Sequence, residues 1–589
     1  MDKIKRIPYG MSDFEAIHCE NEYYVDKTMF IPEIEKTKFV FLIRPRRFGK
    51  SLFLSMLHSY YDINRSDRFE KFYKGTWIFD NPTEFQGKYM TMSFNFSVIA
   101  KDKDRVQKNF NDYCLEVINN FVFKYKKYLN KRTIDMVKSV KTSHEKLQKL
   151  CIGLEDAPTK LYIFIDEYDN FTNSLLSEYG VEEYNKMTKK AGYFKEFFTV
   201  LKALATGSGA GLARMFITGV SPITMDDVTS GMNIGDNVST DEELNECMGF
   251  TEKDLSEIID YYTSVDDFHL DKVKAMKIMK QWYDGYKFAR RAESTMYNTD
   301  MILYYMNKAR GRKFYPDNLI DDNCKTDYRK FKHFTTINHR THIELNGNFG
   351  VLEKIMQNGY IIENLETAFP FEQVTKTFNF VSLLYYFGLL TIDKPIKGRV
   401  KFVIPNASVK KFLSDFVVEG YEDAGKVTPD TYKLHSLLAD MMFEGEWKEP
   451  IEMIAAKIDE GMNARDKIEG ERYIQAYLSA MLGLSKSMIV DTEKNALDGY
   501  CDLTIAPFLA MYPDIEYAYL IEIKYLKQKG KYTKAIENSV VKEATAQLAN
   551  YAKAKNIHKE WQIKPHGTVN LKKIILIFKG RVLKYYKEV

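Results

Sequence analysis

The sequence has few cysteines, and they are not arranged for a structural role. The 589 residues include six cysteines, with no CxxC pair and no Cys/His cluster at zinc-ligand spacing. A disulfide framework or a structural zinc module is therefore not expected to hold this fold together. The cysteines are Cys19, Cys114, Cys151, Cys247, Cys324 and Cys501.

Long apolar runs are also missing. The longest run, Phe380 to Ile392, is shorter than the ~20 residues needed to span a bilayer, and it contains Ser382 and Gly388. The N-terminus carries charge with no apolar segment behind it, so it has the features of neither a signal peptide nor an anchor. We therefore expect a cytoplasmic protein with no membrane partner.

The chain has little excess charge overall, but the charge is unevenly spread. Net charge is +4, yet the segment from Ile521 to the end holds 16 Lys and Arg against five Asp and Glu. That segment carries +11 and leaves −7 for the first 520 residues. A basic end suits a module that binds a polyanion, because Lys and Arg displace counterions from phosphates. A solvated lysine-rich surface has the same composition, so charge alone does not decide.

The chain does contain enough apolar sequence for several folded domains. Its 45% hydrophobic and 28% charged residues are typical of globular proteins. At ~150 residues per domain we expect three or four units.

The first segment alternates apolar runs with helical stretches, as parallel α/β folds do. The runs lie at residues 39–43 (FVFLI), 161–165 (LYIFI) and 215–218 (MFIT). Because they are continuously apolar, both faces of each strand should be buried, which is typical of central parallel strands. We predict a parallel-sheet α/β domain over residues 1–235.

The pattern then changes along the chain. Short amphipathic helices predict an all-α lid over residues 236–346, and a helix, a hairpin strand and a second helix predict a winged-helix-like unit over 347–420. Residues 421–589 open with helices and end in strands and one amphipathic helix. The sequence therefore predicts an α/β multidomain protein in four parts.

The first apolar strand is followed by residues 44–51 (RPRRFGKS) and by a helix-like stretch at 52–61. Strand, Gly-Lys-Ser loop and helix form the context of a Walker A motif, in which backbone N–H groups and the helix end cradle phosphates. We assign Gly49 to close backbone approach, Lys50 to the β- and γ-phosphates of ATP, and Ser51 to Mg²⁺.

The loop departs from the usual Walker A pattern, which has glycine where this chain has Arg44. Arg44, Arg46 and Arg47 are expected to add side-chain charge to the phosphate cradle, and Phe48 is counted with the nucleotide-binding residues. Because a Gly-Lys-Ser tripeptide is common by chance, the assignment needs a partner motif.

Residues 161–169 (LYIFIDEYD) supply that partner, as an apolar strand that ends in two carboxylates. Walker B strands deliver one carboxylate to the Mg²⁺ and a second to the attacking water, which assigns Asp166 and Glu167 respectively. After the third strand, the hydroxyl of Thr218 or Ser221 can sense the γ-phosphate. Each piece alone reads as an ordinary turn or strand end. Together they predict nucleotide binding and leave open whether ATP is hydrolysed.

The C-terminal segment carries a second set of polar residues. In the strand 519–524 (YLIEIK), Glu522 and Lys524 share one face and the isoleucines share the other. A second strand, 499–505, starts near Asp502. Two carboxylates on adjacent strands can hold Mg²⁺ or Mn²⁺, which lowers the cost of forming hydroxide. Lys524 can then position the water or stabilise charge on the phosphate.

Two further residues fit the same pocket. Glu471 begins a helical stretch at 471–484, and Gln547 lies on the core-facing stripe of a helix at 535–554, where its amide needs a partner. The common alternative for an isolated E-x-K is an ion-pair face on an exposed sheet. The combination with Asp502 and the local positive charge favours a nuclease.

At these residues the sequence resembles the bacterial AAA-ATPase-like proteins fused to a C-terminal PD-(D/E)XK nuclease domain. In that family Arg44 in place of glycine is a common trait, while Asp502, Glu522 and Lys524 match the core nuclease positions and Glu471 and Gln547 match its flanking helices. The other matching segments are residues 23–28 (YYVDKT), 44–51, 165–169 (IDEYD), 218–223 (TGVSPI) and 283–286 (YDGY).

The resemblance implies an AAA-like ATPase core followed by a restriction-endonuclease-like domain with a mixed sheet flanked by helices. It also implies a role in defence against foreign DNA or in mobile-element biology. We therefore predict ATP binding or hydrolysis coupled to Mg²⁺- or Mn²⁺-dependent cleavage of nucleic acid, with DNA as the expected partner.

Two other functions agree with the same residues. One is a nucleotide-dependent switch or scaffold that binds nucleic acid or a partner protein and cuts nothing. The other is an ATPase that moves along DNA, which we rank last because no extended helicase motifs are visible. Assembly into a homo-oligomer is expected only by analogy with ring-forming ATPases.

Overall fold

A computed structural model describes most of the chain, in ranges with gaps between them. The described residues are 4–100, 102, 104–155, 157–179, 181–188, 192–205, 210–223, 235–265, 269–310, 315–316, 318–324, 335–338, 343–345, 347–423, 430–460, 471–496, 499–565 and 567–589.

The chain forms two compact units. One unit comprises residues 1–272, 283–321 and 363–400, and the other comprises 273–282, 322–362 and 401–589. None of the helices in the described ranges is long and apolar enough to cross a membrane.

The strands are numbered in chain order. They are β1 (Phe39–Ile43), β2 (Tyr89–Asn95), β3 (Lys160–Asp166), β4 (Leu212–Gly219), β5 (Asp236–Asn237), β6 (Thr336–Asn338), β7 (Ile343–Leu345), β8 (Tyr360–Glu363), β9 (Thr391–Ile396), β10 (Arg399–Val403), β11 (Met488–Ala496), β12 (Gly499–Pro507), β13 (Tyr517–Leu526), β14 (Asn570–Lys579) and β15 (Val582–Glu588).

The described helices are numbered in the same way. They are α1 (Phe14–Cys19), α2 (Ile31–Glu35), α3 (Lys50–Tyr61), α4 (Phe69–Tyr73), α5 (Trp77–Asp80), α6 (Val106–Lys124), α7 (Lys131–Lys138), α8 (Ser143–Gly153), α9 (Asn170–Tyr179), α10 (Val181–Thr188), α11 (Tyr193–Ala205), α12 (Glu252–Val265), α13 (Lys272–Tyr283), α14 (Thr299–Ala309), α15 (Gly347–Asn358), α16 (Thr377–Tyr386), α17 (Ala407–Asp423), α18 (Thr431–Phe443), α19 (Lys448–Glu460), α20 (Glu471–Leu482), α21 (Lys534–Tyr551) and α22 (Lys555–Glu560).

A five-stranded parallel sheet forms the centre of the first unit, in the order β2-β3-β4-β1-β5. The three apolar runs of the sequence are β1, β3 and β4, and their side chains are nearly all buried. Helix α3 packs against β2, β3 and β4, whereas α6 packs against β2 and α11 packs against β4. Because all the strands are parallel, the ends of β1, β3 and β4 meet at one edge of the sheet.

A mixed sheet forms the centre of the second unit, in the order β11-β12-β13-β14-β15. Only β13 and β14 are parallel, and the connection between them contains α21 and α22. Helix α21 packs against β12, β13 and β14, while α20 packs against β11, β12 and β13. The α/β fold class and the mixed sheet flanked by helices are therefore confirmed.

The boundaries of the four predicted domains stay a prediction. The division between the two compact units passes between Val400 and Lys401, inside the predicted winged-helix-like range. It also separates most of α13 from the rest of the predicted lid. The two compact units therefore divide the middle of the chain at other positions than the sequence pattern does.

Candidate functional sites

The loop after β1 ends in a left-handed residue, Gly49, with φ of 85°. Helix α3 begins at Lys50, whose buried ammonium donates a hydrogen bond to Pro45 O at 2.9 Å. Burial lowers the pKa of Lys50, and the charges of Glu167 and Asp166 oppose that shift. The lysine therefore lies at a helix N-terminus and close to the carboxylates at the end of β3.

Ser51 and Asp166 meet directly, because the Ser51 hydroxyl donates to Asp166 Oδ2 at 2.6 Å. Burial is the main reason that the pKa of Asp166 is raised. Its second oxygen, Oδ1, is buried and accepts no hydrogen bond from the residues that the structure describes. A hydroxyl oxygen beside a buried carboxylate with a spare oxygen matches the ligands that Mg²⁺ prefers.

Glu167 has an unusual backbone, with φ of 51° although it is not glycine. Its carboxylate accepts a hydrogen bond from the Asn170 side chain, at the start of α9. Such left-handed residues store strain and occur often at functional sites. The loop after β3 therefore holds Glu167 in a fixed position next to Asp166.

Asp169 links the ends of β3 and β4, a role that sequence reasoning missed. Its buried carboxylate accepts hydrogen bonds from Val220 N at 3.0 Å and from Ser221 N at 2.7 Å. Tyr168 donates its hydroxyl hydrogen to Ser221 O. The only sequence signal was the string IDEYD, in which the last carboxylate has no Walker B role.

We expect Gly219→Ala to disturb this link. An added Cβ would lie 2.3 Å from Asp169 Oδ1 and 2.5 Å from the Tyr168 ring, too close for either to stay in place. Overpacking of this kind costs typically ~1–3 kcal/mol, so the melting temperature of the first unit should fall by several degrees. The measurement is thermal unfolding followed by circular dichroism.

Gly347→Ala, in the second unit, is the control, because it adds the same methyl group where no atom of the described residues lies within 4 Å. It should leave the melting temperature unchanged or slightly higher. Equal melting temperatures for Gly219→Ala and wild type would contradict the proposed close approach.

The structure corrects the prediction for the Arg44 side chain. Arg44 is 1% exposed, and its guanidinium donates to the carbonyl oxygens of Ser239 at 2.6 Å and Leu244 at 2.7 Å. It also stacks over the Phe288 ring, 4.3 Å from the centroid. Because these contacts hold it inside the first unit, the Arg44 side chain cannot supplement a phosphate cradle.

The other loop residues have different surroundings. Arg47, with φ of 68°, makes an ion pair with Asp300 on α14, and its Nη1 lies 3.7 Å from Asp321 Oδ2. These contacts do not fit a free phosphate ligand. Burial is the main reason that the pKa of Lys50 is lowered, and the charge of Arg46 adds to that shift, so Arg46 lies near the predicted site. The Phe48 side chain is buried, which leaves only its backbone N–H for a phosphate.

The side chains of the two predicted γ-phosphate sensors already make hydrogen bonds within the protein. Thr218 is fully buried and its hydroxyl donates to Leu42 O at 2.7 Å, across the pairing of β4 with β1. Ser221 is buried too, and its Oγ accepts from Ile223 N at 3.3 Å. The Thr218 side chain therefore joins strands in this structure and does not face a phosphate.

In the second unit, Asp502 lies where β12 and β13 separate. The ladder between the two strands covers residues 503–505, and beyond it the Asp502 Oδ2 accepts a hydrogen bond from Ile523 N at 2.7 Å. Burial, then the nearby charge of Glu522, raises the pKa of Asp502 to about 7. Two carboxylates that resist ionising together are a feature of cation sites and catalytic sites.

Glu522 lies beside Asp502 and is 3% exposed. Its Oε1 is 3.0 Å from the Lys524 ammonium, whereas its Oε2 is buried with no hydrogen-bond partner among the described residues. Burial is the main reason that the pKa of Glu522 is raised. A buried carboxylate oxygen without a partner is costly unless a ligand binds it, which fits a divalent cation.

Of the remaining predicted residues, Glu471 lies close enough to affect Asp502. Burial is the main reason for the high pKa of Asp502, and the charge of Glu471, at the exposed start of α20, adds to it. The Gln547 Oε1 on α21 is buried without a partner among the described residues. Glu543, one turn earlier on α21, lies 3.4 Å from Lys524 and was missed because it reads as a surface charge.

Two family models match the chain. Residues 8–229 match the predicted AAA-ATPase family, and residues 469–588 match the PD-(D/E)XK nuclease superfamily. These ranges contain the first and the second of the sites described above.

Individual relatives are distant. An uncharacterized protein encoded in the vnfD 5′ region of Azotobacter chroococcum mcd 1 is 24% identical over 455 residues, which is 75% of each chain. The crystal structure of Cdc6p from Pyrobaculum aerophilum is 11% identical, with a TM-score of 0.22 over 65% of this chain and 87% of that one. A TM-score this low supports no argument about the fold.

The family matches, the parallel sheet of the first unit and the mixed sheet of the second unit agree with one another. The chain therefore combines a region that matches the predicted AAA-ATPase family with a C-terminal region that matches the PD-(D/E)XK nuclease superfamily.

Proposed function

We propose that the chain binds and hydrolyses ATP at the first site and hydrolyses phosphodiester bonds in DNA at the second. The observation that carries the nuclease is the partnerless Oε2 of buried Glu522, next to Asp502 and Lys524. Neighbouring carboxylates with raised pKa values need a cation to ionise together. Asp502 and Glu522 would hold a Mg²⁺ or Mn²⁺ ion, which lowers the pKa of bound water and neutralises charge on the phosphate.

Three side chains, those of Lys524, Glu471 and Gln547, would carry out the other steps of the reaction. The Lys524 ammonium, only partly exposed, can donate to a non-bridging phosphate oxygen or orient the attacking water. Glu471, at the exposed start of α20, would accept a proton from that water. The Gln547 amide can orient the water or the phosphate from α21.

At the first site, Lys50 is placed to exchange its bond with Pro45 O for one with a phosphate oxygen. Ser51 and Asp166 would hold Mg²⁺, and Glu167 is the candidate general base for water. We further propose that the state of this site controls cleavage, in defence against foreign DNA or in mobile-element biology. The motifs shared with the resembling family support this coupling.

The proposal is tested by incubating the full-length protein with single-stranded DNA, duplex DNA and RNA, in Mg²⁺, Mn²⁺ or EDTA. We expect metal-dependent cleavage of DNA by wild type, no cleavage by Asp502→Asn, and a changed rate in the presence of ATP. The ATP effect should be absent in Lys50→Ala.

Equal, negligible cleavage by wild type and Asp502→Asn on every substrate, with ATP binding retained, would refute the nuclease. The chain would then be a nucleotide-dependent switch that binds nucleic acid or a partner protein.

A further inference from the structure

One end of the mixed sheet carries several features that the proposed chemistry does not use. Strand β12 is antiparallel to β13 and pairs Leu503 with Ile521. Because the two strands run in opposite directions, Tyr500 at the start of β12 lies at the same end of the sheet as Lys524 in the last part of β13. Strands β13 and β14 are parallel and pair Leu526 with Lys579, so the loop after β13 leaves from the same end.

Tyr500 presents an aromatic ring to solvent at this end. Its side chain is 58% exposed, whereas the next residue, Cys501, is fully buried. Because side chains alternate along a strand, Tyr500 leaves β12 on the same side as Asp502. A single exposed aromatic residue is ordinary by itself, but Tyr500 lies two residues before Asp502 on the same face of the strand.

The loop after β13 carries a cluster of positive charge. Lys527, Lys529 and Lys531 are exposed, and none makes an ion pair with a residue in the described ranges. The nearby Lys534 differs, because it pairs with Glu537. Residues 525–536 contain no Asp or Glu, so this loop keeps its positive charge.

Backbone contacts hold this lysine loop in place. Gly530 N donates to Lys527 O at 2.9 Å, and Gly580 N donates to Leu526 O at 2.8 Å. Beyond the lysines, Tyr532 donates its hydroxyl hydrogen to Glu537 at 2.5 Å. None of these contacts uses the side chain of Lys527, Lys529 or Lys531.

An exposed aromatic ring and a row of unpaired ammonium groups match the two parts of a nucleic acid strand. Bases stack on aromatic side chains and phosphates bind lysines, which is how proteins hold single strands without reading their sequence. In an intact duplex the faces of the bases are stacked on one another, so they are not available to stack on Tyr500. These features therefore favour a single strand over a duplex.

We infer that the C-terminal unit binds single-stranded DNA, with one base stacked on Tyr500 and the adjacent phosphates along Lys527, Lys529 and Lys531. This inference rests on the proposed nuclease function, because it supplies that site with its substrate. It predicts that cleavage occurs in unpaired DNA, such as a single strand or a frayed end.

The test measures binding of fluorescein-labelled DNA to the full-length protein by fluorescence anisotropy, in EDTA so that metal-dependent cleavage does not interfere. Single-stranded DNA and a blunt duplex of the same sequence are compared. We expect Tyr500→Ala to weaken single-strand binding about tenfold or more, as expected for loss of one stacked base, and to leave duplex binding within about twofold. Tyr500→Phe keeps the ring and should bind like wild type.

The lysines are tested together by replacing all three with glutamine. We expect the slope of log Kd against log salt for single-stranded DNA to fall by about 2, because about 0.7 counterion is released per phosphate contact. The matched control replaces three exposed lysines elsewhere in the unit, Lys448, Lys486 and Lys559, and should change that slope little. Tyr432→Ala, at an 89% exposed tyrosine on α18, is the control for Tyr500.

The outcomes separate this inference from the proposed function. Equal effects of Tyr500→Ala on single strands and duplex, or no effect on either, would overturn the inference even if wild type cleaves DNA. Tighter binding of single-stranded RNA than of DNA would overturn the choice of DNA. If the Tyr500-dependent preference is present but wild type cuts nothing, the inference holds and the nuclease proposal fails.

Discussion

Glu522→Gln is expected to lower metal-dependent DNA cleavage by about 10²- to 10³-fold or more. The substitution keeps the size of the side chain but replaces a charged oxygen with an amide where Oε2 is buried without a partner. It also removes the charge that faces Lys524 Nζ at 3.0 Å. The measurement is the single-turnover cleavage rate in Mg²⁺, with binding of DNA checked separately in EDTA.

Glu543→Gln is the matched control for this prediction. Glu543 also contacts Lys524, at 3.4 Å, but its side chain is 65% exposed. Removing its charge changes the same lysine without removing the buried oxygen, so the rate should stay within about threefold of wild type. An equal loss in both variants would mean that the charge balance of Lys524, and not a cation bound by Glu522, sets the rate.

Lys50→Ala is expected to weaken ATP binding by roughly 10- to 100-fold, as expected for loss of a hydrogen bond to a charged group. The ammonium is buried at the start of α3, and burial lowers its pKa, so the charged form is costly in the absence of an anion. Its removal should therefore leave the melting temperature unchanged or raise it. Isothermal titration with ATP and Mg²⁺, together with thermal unfolding, measures both effects.

Lys160→Ala provides the control within the same unit. The Lys160 ammonium also donates to a backbone carbonyl, Leu154 O, at 2.9 Å. Lys160 begins β3 and therefore lies at the opposite end of that strand from Asp166, away from the first site. Normal ATP binding by Lys160→Ala and weakened binding by Lys50→Ala is the expected pair of results, and equal binding by both would contradict the assignment of the first site.

The elements that carry the sites could be predicted from sequence, because their signals are local. The first apolar run corresponds to β1 (Phe39–Ile43) without any shift, and the strand around Glu522 and Lys524 is longer than predicted, at Tyr517–Leu526. The helix predicted from Leu52 already begins at Lys50, since Gly49 in the left-handed region ends the loop. Periodicity and apolar runs determine such elements over a few residues.

Side-chain partners far apart in sequence could not be predicted. Arg44 was expected to face phosphate, but its partners Ser239 and Leu244 lie about 200 residues away in the sequence. The residues next to Arg44 therefore give no sign of these contacts. In the same way, the hydroxyl of Thr218 bonds to Leu42 O only because β4 is placed next to β1. A motif identifies which residues are near a site but does not show which way each side chain points.

Glu543 illustrates a second kind of omission. An acidic residue on the exposed side of a long helix is usually a solvated surface group. Its contact with Lys524 depends on the position of α21 against β13, which follows from the tertiary fold. The residue therefore becomes visible only when the helix is placed on the sheet.

Arg47 connects the loop after β1 to α14 through two contacts, one from its side chain and one from its backbone. Its guanidinium pairs with the Asp300 carboxylate, and its own carbonyl accepts a hydrogen bond from Asp300 N at 3.3 Å. A ligand that rotates the backbone at residue 47 must either break both contacts or move the first turn of α14. A molecule that binds to that turn and a nucleotide bound at the loop would therefore affect each other's binding. By thermodynamic reciprocity, each would change the affinity for the other by the same factor.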